Sequence, residues 1–252
     1  MSKRRFFATS LLSMILIMCL GTVVLVSCGS AFLENENFVR STKDVNVESF
    51  IAVAPEDDSE EVLQAEDVIE KAEESIDSFN EFSCTFTKEE NIKGKVRGPL
   101  KAEVVCRQRP FAVAMDWEPG NEVIRSTYRE GDDNMKVKLS GLAGVLGVVE
   151  IAPDDERVLE KHLRPITEFG FEGVVEQAAE AVKDGDEAVV SQNDEGETLL
   201  TITTGGEKVS FVFDEDFTPS YAEKILDGEV IFIYQWDNVS KDIEISDDDF
   251  GF

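Results

Sequence analysis

Val62, Ala65, Ile69, Ala72, Ile76 and Phe79 recur at alternating intervals of three and four residues. That spacing keeps them on one side of an α-helix, with Glu66, Asp67, Glu70, Glu73 and Glu74 on the others. The stripe is too short for a coiled coil and predicts a helix packed on a sheet. At Phe82 the period changes to two, and Phe82, Cys84 and Phe86 alternate with Ser83, Thr85 and Thr87. After the turn-rich stretch NIKGKVRGP, a second strand is expected from about Leu100 to Arg109. A hairpin centred near Lys95 sets Cys84 opposite Cys106 and Phe86 opposite Val104. The two cysteines then share a face, within reach of a disulfide if their geometry permits. Two reduced, buried thiols are the alternative.

FAVAMDW is the cleanest strand. Phe111, Val113, Met115 and Trp117 point one way, and the small Ala112 and Ala114 on the other face imply that something packs closely there. EPGN makes a turn. Strands follow near Glu122–Arg129 and Met135–Leu139. SGLAGVLGVVE breaks the alternation, with Gly141, Gly144 and Gly147 three residues apart, and reads as a mobile apolar loop or a short frayed helix. A second helix is expected over about Thr167 to Lys183, capped by Thr167 and ended by Gly185. Five further strands, near 188–192, 199–204, 208–213, 220–226 and 229–239, are separated by turns such as Gly205-Gly206 and Asp227-Gly228. Links this short force antiparallel pairing. The expected fold is therefore α+β, a curved antiparallel half-barrel of about ten strands with two helices covering the concave face.

The N-terminus follows another rule. Lys3, Arg4 and Arg5 precede an uncharged apolar run from Phe6 to Val26, the layout of a secretory signal peptide. The run is also close to the ~20 residues that span a bilayer, so an uncleaved anchor and ordinary cleavage are rival readings. Leu25-Val26-Ser27-Cys28 resembles the bacterial lipobox, which implies cleavage before Cys28 and lipidation of it. The organisation expected is a signal peptide over 1–27, a polar lipid-anchored tether over 28–60 and a single domain over 61–252. One acyl chain holds a protein to a membrane only marginally, whereas two or more hold it firmly.

The 252 residues include 53 acidic and 24 basic ones, for a net charge of −29. Loss of residues 1–27 would remove three basic residues and no acidic one, leaving −32. Such a balance excludes nucleic acid as a partner, because phosphate contacts need Lys and Arg. No GxSxG, HExxH, P-loop or CxxC occurs. The one histidine, His162, stands by Lys161 and Arg164 and reads as a surface residue; a single imidazole builds no histidine metal cluster. Asp247, Asp248 and Asp249 lack the spacing of an EF-hand loop and read as a solvated tail. No catalytic residue, metal or cofactor is expected.

FSCTFTKEENIKGK, RQRPFAVAMDW, SGLAGVLG and LRPITEFGF resemble, in that order, an uncharacterised bacterial family of exported domains, from about Phe79 to Glu176, with a weaker echo in the final DFGF. That family is assigned to the fold of the outer-membrane lipoprotein carrier and its lipidated acceptor. The resemblance implies a half-barrel whose helices cap an apolar cavity, and no catalytic residues carry over. The lipobox makes the chain more like the tethered acceptor than the soluble carrier. The reading is a lipid-anchored binding protein of the cell envelope, on its periplasmic side, holding an acyl chain, lipid or lipoprotein. Phe82, Phe86, Phe111, Val113, Met115 and Trp117 are expected to line the cavity. Leu142, Val145, Leu146, Ile166 and Phe169 are expected at its mouth. The alternative is an envelope sensor or interaction module that recognises a protein partner through the same fold.

Overall fold

A computed structural model describes residues 63–241 and 243–251. The expected signal peptide, Cys28 and the expected tether lie outside the described residues, as does Val62, the first residue of the helical stripe. Eleven strands form one antiparallel sheet: β1 (Glu81–Ile92), β2 (Lys95–Arg107), β3 (Ala112–Trp117), β4 (Val123–Arg129), β5 (Met135–Leu139), β6 (Val148–Ile151), β7 (Glu187–Gln192), β8 (Thr198–Thr204), β9 (Glu207–Phe213), β10 (Pro219–Leu226) and β11 (Glu229–Lys241). Their order across the sheet is β6-β5-β4-β3-β2-β1-β11-β10-β9-β8-β7. Two meanders thus meet where β1 pairs with β11, and the sheet stays open at β6 and β7. The helices are α1 (Ala65–Asp77), the single turn α2 (Glu156–Leu159) and α3 (Phe171–Asp184).

The stripe of α1 is buried as its spacing requires, through Ala65, Ile69, Ala72 and Ile76 with Val68 added. Phe171, Val174, Val175 and Ala178 of α3 are buried beside it. Both helices share one core with the inner face of the sheet, so the half-barrel with helices on its inner face stands. The glycine-broken stretch forms a 3-10 turn over Gly141–Leu146 and then β6, an edge strand the alternation did not disclose. Thr167 does not cap α3. It lies in the 3-10 turn Ile166–Glu168, and the helix starts after Gly170, whose φ of 123° suits glycine.

Two details of the β1–β2 hairpin change the expected register. Its turn is Lys93-Gly94, both with positive φ, which suits the twist of a two-residue hairpin. Further along, Gly98 and Pro99 together face Glu89 alone, a bulge between the pairs Lys88↔Leu100 and Glu90↔Arg97. Gly98 has φ 114°, and a Cβ there would lie 2.5 Å from the carbonyl oxygen of Lys88. With the turn earlier than Lys95, Cys84 lies opposite Val104 and Cys106 opposite Phe82. The cysteines share the inner face but stand diagonally, and both are free and buried. This corrects the disulfide expectation.

On the outer face Ala112 and Ala114 are covered, as their size implied. Ile245 and Phe250 of the C-terminal tail pack on them. The tail expected to be solvated is held by Arg107, which bonds Asp247 and the carbonyl of Ile245, while Arg125 and Arg129 donate to the carbonyls of Asp249 and Asp247.

Candidate functional site

Antiparallel register lays the inner face out in rows. Val113, Cys106 and Phe82 form one, and Met115, Val104 and Cys84 the next. Trp117, Ala102, Phe86 and Trp236 form the third, across four strands. All of these residues except Trp117 are buried, and Trp117 packs against the same core. The expected lining residues are therefore gathered on one face. Phe111 joins them from just before β3, and Ile166 and Phe169 pack on the core from the segment between β6 and α3. The side chains of Leu142, Val145 and Leu146 lie outside the described residues.

This part of the face is filled. Phe171 stacks on Phe82 with ring centroids 4.4 Å apart, and Phe169 meets Phe86 edge-on at 5.1 Å. The open space lies further across, over β8 to β11. A hollow of about 350 Å³ there, between α3 and the sheet, is lined by Ile202, Val209, Phe211 and Phe232 together with charged groups of both signs, Arg164 and Lys224 against Glu180, Asp184 and Glu207. Arg164 stands over the Phe232 ring at 5.6 Å.

The next two rows hold charge. Lys88 lies between Leu100 and Tyr234, and Glu90 between Arg97 and Phe232. Both side chains point inward, in line with Phe82, Cys84 and Phe86. They are the only buried charged residues among the described ones. Lys88 Nζ donates to Glu90 Oε2 at 2.9 Å and to His162 Nδ1 at 2.9 Å. An ammonium only donates, so His162 Nδ1 accepts and the imidazole is neutral. Tyr234 Oη donates to Glu90 Oε1 at 2.7 Å, and the backbone N–H of Leu163 reaches the same oxygen at 3.4 Å. The Lys88 ammonium also lies 5.9 Å from the Trp117 ring centroid.

Burial dominates the electrostatics. It lowers the Lys88 ammonium, against the pull of Glu90, and it raises the Tyr234 phenol, aided by the same carboxylate. Burial alone would raise Glu90, but His162, Lys88 and Tyr234 outweigh it and hold the carboxyl at about 2. Burial lowers His162 as well, with Glu90 opposing and Lys88 and Arg97 reinforcing. His162 is thus not free on the surface: half-buried, it joins the strap formed by residues 152–170 to the inner face. The strap's other anchors are Arg164 on Phe232 and Lys161 on Glu122. The alternation of β1 could have disclosed Lys88 and Glu90, because the even-numbered positions continue inward past Phe86. Trp236 likewise belongs to the face and Phe171 of α3 stacks on it, and neither was foreseen there.

Among solved structures the chain is similar to MucB, at 14% identity and a TM-score of 0.49, over 75% of this chain and 62% of that one. It therefore spans less than two thirds of MucB. It is also similar to the lipoprotein LppX of Mycobacterium tuberculosis, at 12% identity and a TM-score of 0.39, over 71% and 96% of the two chains. The figures for LprF of Mycobacterium bovis are 9%, 0.41, 73% and 96%. No curated protein matches the chain. Residues 79–208 match the family described as "Protein of unknown function (DUF1571)"; this is just over half of the chain, which belongs to that family.

Proposed function

We propose that this is a lipid-anchored protein of the cell envelope whose half-barrel holds an acyl chain, a lipid or a lipoprotein. Cys28 is the anchor, residues 29–60 are the tether, and the ligand lies on the inner face of the sheet. The observation that carries the reading is the largely apolar inner face, beside which a 350 Å³ hollow with an apolar floor and charged walls opens next to Arg164 of the strap. Ligand sites are concave and mostly apolar, with a few placed polar groups. Native mass spectrometry of the protein released from its own membranes tests this. Acyl-bearing adducts are expected, and fewer of them with Ile202→Asp, which puts charge on the hollow floor. Protein that emerges bare from several gentle detergents would speak against the reading. The anchor has its own test: a mature chain that starts at a diacylglyceryl Cys28 is expected, and an intact Met1 would remove it.

One observation favours recognition of a protein instead. A groove of about 590 Å³ runs between α1 and α3, with Glu66, Glu70 and Glu73 outnumbering Lys183 on its walls. A basic partner seated there would lose affinity as salt rises.

A further inference from the structure

We propose that the occupant of the half-barrel is an amphiphile with an anionic head, a carboxylate or a phosphate. Lys88 receives that head, and residues 161–169 of the strap are the stand-in that leaves when it binds. This inference rests on the reading that the inner face holds an acyl chain.

The position of Lys88 is the first support. It is the one buried cation among the described residues, with the Phe86–Trp236 row on one side and, on the other, the Glu90–Phe232 row, whose Phe232 lines the hollow. Two of its three donors are assigned, to Glu90 and to His162. His162 is a neutral acceptor supplied by a removable segment. The ammonium already makes that bond charge-assisted; an anion in its place makes both partners charged and adds ion-pair attraction. Glu90 would repel that anion. It is already shared between Lys88 and the Tyr234 hydroxyl, and Arg97 stands opposite it in register. Lys88, Arg97 and Glu90 leave one net positive charge at the seat.

The strap is the second support, because it imitates such a ligand. His162 puts a polar atom on Lys88, while Ile166 and Phe169 pack on the apolar core that a chain would cover. The strap also leaves Leu159 and Leu163 exposed, at 39% and 37%, so its own apolar groups are only half used. The third support is Trp236. Its indole nitrogen is buried with no acceptor among the described residues, one row from Lys88. An oxygen of the head or its ester would satisfy it.

The test is a native mass spectrometry titration of the intact protein, released from a non-ionic detergent, with oleate, oleyl phosphate and oleyl alcohol. Wild type should bind the two anions roughly tenfold or more tighter than the alcohol. Lys88→Met with Glu90→Gln removes both charges together, leaves no lone buried charge, and should erase that preference while the alcohol binds as before. His162→Leu, which frees the strap, should strengthen oleate binding several-fold. Inorganic phosphate should not compete with oleate. Equal binding of all three lipids to wild type, or a preference that survives in the double variant, would overturn the seat and leave acyl binding standing. No change with His162→Leu would overturn the stand-in role. Competition by inorganic phosphate would show a seat for free anions and overturn the amphiphile. If none of the three lipids binds, the acyl-chain reading fails and this inference fails with it.

Discussion

Replacing Phe250 with Ala should detach the C-terminal tail from the outer face. The ring is 2% exposed, packed on Ala112, Ala114 and Ile245, with the Arg107 guanidinium 5.3 Å from its centroid. In a closed core a Phe→Ala change costs about 3–5 kcal/mol, because a cavity remains. Here the ring belongs to a small outer-face cluster apart from the main core and its segment can lift away, so the cavity contribution is avoided and the loss approaches the transfer value, about 1.5–3 kcal/mol. Arg107 keeps Glu81 as a partner at 2.7 Å and is not stranded. Urea unfolding followed by tryptophan fluorescence measures the loss, and amide exchange locates it. The amide of Ile245, which donates to Glu81 at 3.0 Å, and that of Asp249 should exchange freely, while β8 to β11 keep their protection. A loss below about 0.5 kcal/mol with Ile245 still protected would refute the docking argument.

Lys88→Met alone strands Glu90 among apolar groups and should cost about 3–5 kcal/mol, whereas the double change with Glu90→Gln should be far milder; equal losses in chemical denaturation would sink the pairing. Burial depresses His162, so its contribution to stability is complete above the ordinary histidine range and falls as pH drops through about 6.5 toward the folded value. That step between pH 7 and 5 should vanish in His162→Leu; its persistence would assign it elsewhere. Glu90, held at about 2, contributes above its ordinary carboxylate range and loses that contribution as pH falls toward 2, a separate step at lower pH. A Cβ on Gly185 would stand 2.4 Å from Ile202 Cγ2 and 2.8 Å from the Ala181 carbonyl oxygen, so Gly185→Ala should cost about 1–3 kcal/mol, read as a fall in Tm. Burial pushes the Cys84 and Cys106 thiols up, so a thiol reagent at pH 8 should modify neither until the protein unfolds; immediate modification of the folded protein would contradict their burial.

The strand alternation and the α1 stripe were legible because each reports one face against one core. Ala112 and Ala114 announced a close neighbour, although nothing local could say that the neighbours were Ile245 and Phe250, more than a hundred residues on. The cysteine register was misplaced because a hairpin's centre depends on where positive φ is affordable, and Lys93 takes that conformation without being glycine. The bulge at Gly98 and Pro99 moved it again near the charged pair. Lys88, Glu90 and His162 were missed for a shared reason. Charged residues inside a period-two pattern look like its end, and a lone histidine between basic neighbours looks solvated. Only tertiary contact gives each a partner.

A buried ion pair is a poor way to stabilise a sheet, since apolar residues of similar volume often do as well or better. The fold nevertheless places one at a bulge, beneath the strap, on an otherwise largely apolar face. The net charge of −29 bears on what such a seat can take. A small free anion meets repulsion from the whole surface and gains only one cation at the end. An amphiphile gains apolar burial along its chain as well, at roughly 25 cal/mol per Å² covered, so it can outweigh a repulsion that keeps free anions out. The acidic surface then acts as a filter for the inner lysine. Neutralising surface carboxylates far from the strap should let inorganic phosphate compete with oleate. If phosphate stays excluded after several such changes, the filter lies in the strap and the depth of the seat, not in the surface charge.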